Sequence, residues 1–430
     1  MLFKKIGIID ENFEYKENMY VGTNCHSIVY IDSEPPKDED AFFETYDGRG
    51  KVLMPGFYNA HGHSPMCMMR GYGENLPLDR WLNEKIFPFE DNLYSDAVYW
   101  ATLLSMAESL RFGIVSTSDM YFFIDDMAKA VSVSGMKSNL SRSVSSFEGE
   151  SVSESERLRE MIDSIRMYYG MEDGRILVDA CAHSEYTNIL PMLEAIADTA
   201  RKYDVRVQLH LSETAGEHVL CIEKYGKTPA ELFNDTGLFD QPCTAAHCVW
   251  VTESDLDIFK EKGVTVASCP VSNMKLASGM ANVPAMYEKG VNVAIGTDSV
   301  ASNNSLNFFE EMKIFALTGK VKSMDPAAMT PQQVLRSATR AGALAQGRKD
   351  CGLLKEGFRA DLIVVDVSGP NMQPNDDMTG ALVYSTDGKD VCLTMCDGRV
   401  LYRDGEYTTI DIEKTIFETE KAKKEILKRL

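Results

Sequence analysis

Two histidines separated by one residue, His61 and His63, stand at the end of the apolar run VLMPGFYNA. If that run is a strand, residues i and i+2 point the same way, so both imidazoles can face one point beyond the strand end. Such a pair can ligate a metal ion, but alone it reads more simply as two ordinary loop histidines. The company it keeps changes the reading. His210 and Glu213 close the run VQLHLSE, His247 ends CTAAH and Asp298 ends VNVAIGTD. Four separate strand ends thus offer imidazole or carboxylate groups, a donor set that suits one divalent ion such as Zn²⁺ or Fe²⁺, between which sequence cannot choose. The chain has only seven histidines, and His183, at the end of ILVDACAH, is a fifth at such a position.

Groups on several strand ends converge when the strands are parallel neighbours. From Lys51 onward short apolar runs alternate with helical stretches, the pattern of βα repeats. The strands expected are Val52–Asn59 running into His61, Ile114–Asp119, Lys137–Arg142, Ile176–His183, Arg206–Glu213, Cys243–His247, Thr265–Cys269 and Val291–Asp298. Helices are expected at Tyr94–Phe112, Pro191–Tyr203, Thr228–Thr236 and Glu253–Lys262. Eight strands predict a (β/α)8 barrel of the TIM type, whose sites assemble at the C-terminal rim. The first fifty residues carry short β-like pieces, and β-like runs return at Ala360–Asp366, Ala381–Tyr384, Asp390–Cys396 and Arg399–Tyr402. Both chain ends are therefore expected to build one small β-sandwich. The division expected is 1–54 and 349–430 for that domain and 55–348 for the barrel. The tail Ile410–Leu430 reads as a solvent-facing helix, and Ser143–Glu156 as a loop, linker or lid.

Composition narrows the function. A formal net charge of −21 repels phosphate backbones and anionic membranes, so nucleic acid is not an expected partner. No apolar run reaches the roughly 18 residues of a membrane span, and MLFKKIGIIDENFEYKE has no signal-like apolar core, which points to a cytosolic protein. The ten cysteines are scattered and read as reduced thiols.

At these motifs the sequence resembles the amidohydrolase superfamily, in its cytosolic deaminase and chlorohydrolase branch. Within that branch it is most similar to the 5′-methylthioadenosine/S-adenosylhomocysteine deaminases. The resemblance runs through PGFYNAHGHSPMCMMRGYGENLPLDRWL, AHSEYT, HLSET, AHCVW, PVSNMKLASG, GTDSVASNNSLNFFEEM and GLLKEGFRADLIVVD. It implies a homo-oligomeric hydrolase with one divalent ion per subunit, zinc in the first place, held by His61, His63, His210 and Asp298. The fourth strand has no lysine that could be carboxylated to bridge two ions.

The resemblance further implies a substrate that is a cyclic amidine, an adenine nucleoside first. The ion lowers the pKa of a water from about 15.7 to about 7, Asp298 takes that water's proton through an oxygen left free, and His247 orients the attacking oxygen. Glu213 protonates the ring nitrogen; read alone it would be a helix N-terminal carboxylate. His183 contacts the purine, Glu90 the ribose hydroxyls, and Arg142 and Arg157 a carboxylate tail, with Arg157 equally readable as a helix-surface charge. Trp81 and the methionines of SPMCMM line the apolar part or belong to the core. Glu217 and His218 read as surface, and His26 as structural. Gly62, Glu185, Trp250 and Ser268 stand where relatives commonly carry other residues. The alternatives are hydrolysis of guanine, a pterin or an s-triazine, and a scaffold that binds a purine without turnover.

Overall fold

Apolar runs with no alternation become strands covered on both faces, and here they close into a parallel ring. In the computed structural model, which describes residues 1–430 apart from the side chain of Asp79, the ring strands are Phe57–Gly62, Ile114–Tyr121, Lys137–Arg142, Ile176–Val178 continued by Ala180–Cys181, Val207–Leu211, Cys243–His247, Thr265–Ser268 and Asn292–Ile295. Each pairs in parallel with the next, in two arcs. The arcs join at two seams. At Asp179 its amide bonds Leu140 O at 2.9 Å and the next amide bonds Arg206 O at 2.8 Å; at the other seam the Asp298 amide bonds His61 O at 3.0 Å. The second seam carries two of the expected ligands on adjacent strand ends. Asn59 reinforces it, accepting from the Thr297 amide at 2.9 Å and donating to Thr297 Oγ1 at 2.7 Å.

The outer helices start where the sequence writes Thr-x-x-acid or Thr-x-x-Gln. Thr214, Thr228, Thr252 and Thr330 each exchange hydrogen bonds with the residue three positions on, Glu217, Glu231, Asp255 and Gln333. Each such cap contributes about 1 kcal/mol and fixes where a loop stops at the barrel rim.

The flanking domain is a nine-stranded sheet built from both chain ends, in the order Glu406–Tyr407, Arg399–Arg403, Val391–Cys396, Leu362–Asp366, Lys51–Pro55, Leu2–Ile9, Tyr15–Asn24, Ser27–Asp32, with Thr45–Asp47 beside Leu2–Ile9. Three expectations need correction. The run expected as one strand from Val52 is two: Lys51–Pro55 pairs antiparallel with Leu362–Asp366 in the flanking sheet, and Phe57–Gly62 opens the barrel. Gly56 makes the crossing, and a Cβ there would lie 2.4 Å from Val115 Cγ1. Ala381–Tyr384 is not a strand but the end of the helix Met378–Tyr384, whose Asp377 side chain caps the Gly380 amide at 3.1 Å. Periodicity cannot separate the two forms in so short an apolar run. The tail helix Ile412–Leu427 is not simply solvent-facing. It buries Thr415, Thr419, Ala422 and Ile426 and packs on the helix Ser95–Arg111. No helix among the described residues is long and apolar enough to cross a membrane. The ten cysteines form no disulfide, and only Cys25 is exposed.

Barrel and sheet are joined by a buried ion cluster at the N-terminal end of the ring. Lys137 Nζ donates to Asp361 Oδ1 at 2.5 Å and to Asp397 Oδ1 at 2.7 Å, and the Tyr58 hydroxyl donates to Asp361 Oδ2. Lys137 is 3% exposed and Asp361 1%, so neither charge can fall back on water. Lys137→Met is expected to cost about 3–5 kcal/mol, because Asp361 stays buried without its cation while Asp397 keeps only Arg359, at 3.4 Å. Urea unfolding should show a lower midpoint that adding Asp361→Asn partly restores; an unshifted midpoint would contradict this role for the cluster.

Candidate active site

All the expected ligand groups meet at the C-terminal rim. The His61 and His63 rings lie 4.8 Å apart between centroids, and His210 lies 4.9 Å from His61 and 5.4 Å from His63. Two sets, His61 with His210 and His247, and His61 with His63 and Asp298, bring their donor atoms within 4.8 Å of one another.

The outer nitrogens decide what the inner ones can do. His63 Nδ1 lies 2.6 Å from Met120 O, and His210 Nδ1 lies 2.8 Å from His183 O. A carbonyl only accepts, so both Nδ1 atoms carry the proton and both Nε2 atoms present lone pairs inward. Those two Nε2 atoms are 3.4 Å apart, and Asp298 Oδ1 is 3.3 Å from His63 Nε2 and 3.7 Å from His61 Nε2. His61 Nε2 is buried and meets no donor in the protein. Two imidazole lone pairs and a carboxylate oxygen facing one point, with the unpartnered His61 Nε2 beside them, repel one another unless a cation sits there. The residues present therefore fit a divalent ion, with the outer hydrogen bonds orienting each ligand.

The backbone is bent to achieve this. Ser212, His247 and Asp298 have φ values of 47°, 71° and 59°, in the left-handed region that non-glycine residues avoid. A Cβ at Gly296 would lie 2.9 Å from His61 Cβ, so the last strand can approach the first ligand only with glycine there. The Asp298 oxygen expected to be free is engaged: Oδ2 accepts the Ser272 hydroxyl at 2.5 Å and the Ser302 hydroxyl at 3.1 Å, leaving Oδ1 toward the imidazoles. Glu213 Oε1 accepts the Ser278 hydroxyl at 3.2 Å, and its Oε2 lies 3.8 Å from His247 Nε2. Burial pushes the Glu213 carboxyl above its usual range, with His247 pulling the other way. His247 Nδ1 is held 2.9 Å from Asn273 Oδ1.

The cluster opens into a cavity of about 1080 Å³, lined also by Trp81, Glu90, Arg142, Arg157 and His183. Every residue expected to touch substrate thus lines this one cavity. Burial raises Glu90 to about 7 and, with His63 and His247 nearby, lowers His183 to about 4, so His183 is neutral near pH 7. Trp81 is 5% exposed and its Nε1 donates to Tyr72 O at 3.4 Å. Met66 lines the cavity, whereas Met68 and Met69 are core. Ser143, Ser145, Ser146 and Phe147 of the Ser143–Glu156 segment run along it. His26 stands apart in the flanking sheet, bonded to Asp397 O at 3.1 Å.

Two residues expected on the surface are buried. Glu217 Oε2 accepts the Glu213 amide at 2.9 Å and the Thr214 amide at 3.3 Å, and His218 Nδ1 lies 3.0 Å from Ser212 Oγ. The first turn of the helix Ala215–Tyr225 is tucked under the loop that carries Glu213. The Thr-x-x-Glu capping signature at 214–217 was the signal for this. Asn273, Ser272, Ser302 and Tyr121, the last a neighbour of Glu90, had no comparable local signal.

A barrel with this rim chemistry is the architecture of a metal-dependent hydrolase, and the sequence places the chain in a family. The amidohydrolase family pattern matches residues 52–401, and the chain belongs to that family. It is 42% identical over 383 residues to the 5-methylthioadenosine/S-adenosylhomocysteine deaminase of Dictyoglomus thermophilum, covering 89% of each chain. It is 40% identical over 394 residues to the 5′-deoxyadenosine deaminase of Methanosarcina mazei, covering 92% of this chain and 91% of that one. The crystal structure of an adenosine deaminase from Xanthomonas campestris with bound Zn superimposes with a TM-score of 0.91 at 30% identity, over 99% of this chain and 98% of that one.

Glu185 and Glu217 make a pH prediction. Neither Glu185 oxygen meets a donor, its chief charged neighbour is Glu217, and burial raises both carboxyls, Glu217 to about 7. A folded-state pKa above the unfolded value of 4.5 means that the folded chain holds protons the unfolded one releases. Stability should therefore fall as pH rises from about 4.5 to 7. Glu185→Gln should flatten that decline in thermal melts; an equally steep decline would mean that the pair is not its source.

Proposed function

We propose that this amidohydrolase is a zinc-dependent deaminase of adenine nucleosides, replacing the 6-amino group by oxygen and releasing ammonia. The observation that carries the reading is the placing of Glu213, a buried carboxyl raised toward its protonated form, beside the cation pocket in a cavity that also holds Glu90, His183 and Arg142. The nucleoside names of relatives about 40% identical over nine-tenths of the chain support it, and the Zn of the adenosine deaminase structure supports the choice of ion.

When bound by His61, His63, His210 and Asp298, the ion supplies a nucleophilic hydroxide from water at neutral pH. The protein's own groups do the rest. His247 would orient the attacking water, and Asp298 would take its proton through Oδ1, because Oδ2 is held by Ser272 and Ser302. Glu213 protonates the ring nitrogen beside the attacked carbon, without which an aromatic amidine resists attack; the water's first proton passes from Asp298 to the departing amino group, and the second, from the new C–OH, returns to Glu213 as the 6-oxo group forms and ammonia leaves. Glu90, with Tyr121 beside it, meets the ribose hydroxyls. Neutral His183 hydrogen-bonds the purine, Trp81 and Met66 cover the apolar 5′ region, and Arg142 and Arg157 take a carboxylate tail.

Ammonia release from 5′-methylthioadenosine, S-adenosylhomocysteine, 5′-deoxyadenosine, adenosine and guanine tests the proposal. Release from the adenine nucleosides is expected; turnover of guanine alone would overturn it. Glu213→Gln should lower kcat/KM by about 10²–10⁴-fold with ion content unchanged. Loss of the ion in step with activity would make Glu213 structural.

A further inference from the structure

The cavity that holds the ion pocket and Glu90 also reaches Arg142, and the way that guanidinium is held restricts what can dock on it. Arg142 is 9% exposed. Its Nε donates to Glu160 Oε2 at 2.7 Å, its Nη1 donates to Ser143 O, and its face lies on the Phe122 ring, 4.9 Å from the centroid. Among the described residues none accepts from Nη2. A carboxylate pairs best with a guanidinium through two parallel N–H bonds, and Glu160 already occupies one side of the Nε and Nη2 edge. An arriving carboxylate must take the Nη1 and Nη2 end, next to Glu160.

Two carboxylates sharing one guanidinium leave a net negative charge, which repels the arriving anion. The surroundings do not relieve this. Arg157, the other guanidinium of the cavity, is paired with Glu150 at 3.6 Å, and Asp125, Asp126 and Asp163 also line the space. The field suits an anion that brings its own cation. An α-amino acid does so, because its ammonium and carboxylate share one carbon, and Glu160 Oε1 has no hydrogen-bond donor from the described residues. The Glu160 side chain is 49% exposed, half open to the cavity, and sits on the helix Glu156–Tyr168, one turn after Arg157.

We propose that Glu160 receives the α-ammonium of a zwitterionic tail, so that this arm selects adenine nucleosides whose 5′ substituent ends in an α-amino acid over those ending in a carboxylate alone. The inference rests on the deaminase reading above and adds a specificity-determining residue to it.

The test compares kcat/KM of the metal-loaded protein for S-adenosylhomocysteine and for its desamino analogue, 5′-S-(3-carboxypropyl)-5′-thioadenosine. A charge-assisted hydrogen bond predicts that the amino acid is favoured about 10- to 100-fold, and that in Glu160→Gln this ratio falls toward one. Because the ratio is taken within each protein, a partly folded preparation does not distort it, and the parent protein decides the question if the variant fails to fold. A parent ratio near one, or a ratio unchanged in Glu160→Gln, overturns the proposal. If the parent deaminates 5′-methylthioadenosine but not S-adenosylhomocysteine, the tail proposal alone fails. If it deaminates no adenine nucleoside, the deaminase reading fails first.

Discussion

Two imidazole lone pairs 3.4 Å apart, with a carboxylate oxygen 3.3 Å from one of them, do not stay buried together unless positive charge lies between them. The rest of the structure follows from holding that arrangement. The carbonyls of Met120 and His183 fix the tautomers of His63 and His210, and each carbonyl belongs to a neighbouring strand end. The seam between the last and first strands brings Asp298 to His61, with Asn59 and Thr297 locking it. Left-handed backbone at Ser212, His247 and Asp298, about 1–3 kcal/mol each, is sustained by the packed barrel around it.

The same convergence separates chemistry from recognition. The rim nearest the imidazoles holds the groups proposed to move and orient protons, Glu213, His247 and Asp298. The groups proposed to grip the ligand line the same cavity: His183 packs on His210, 4.7 Å between ring centroids, with Glu90 and Arg142 also on the wall. The distant arm is held by hydrogen bonds that reach neither the ion pocket nor Glu213, so its preference can vary while the reaction stays the same.

Much of this was legible in the sequence because parallel strands covered on both faces leave unbroken apolar runs, and because barrel sites form at the ends of such runs. Lys137–Arg142, Cys243–His247 and the helix Glu253–Lys262 lie where their residues predict them. What was not legible depends on partners far away in the chain. Gly56 looks like any glycine in an apolar run until Val115 lies against it. Glu217 and His218 are the exception: their partners Glu213 and Ser212 are local and Thr-x-x-Glu marks the cap, but the burial of that helix start comes from the barrel rim around it. Arg142 is visible as a cation for a carboxylate, but the clamp of Glu160, Ser143 and Phe122 that limits its approach exists only in three dimensions.

The central claim is that one cation completes the four-ligand cluster and that the reaction depends on it. Metal analysis with X-ray absorption at the bound ion's edge tests this most directly. The account predicts one divalent ion per chain, surrounded by three imidazole nitrogens and a carboxylate oxygen, and deaminase activity that rises in proportion to its occupancy. Two ions per chain, a thiolate in the ligand shell, or full activity in protein stripped of the ion would contradict it.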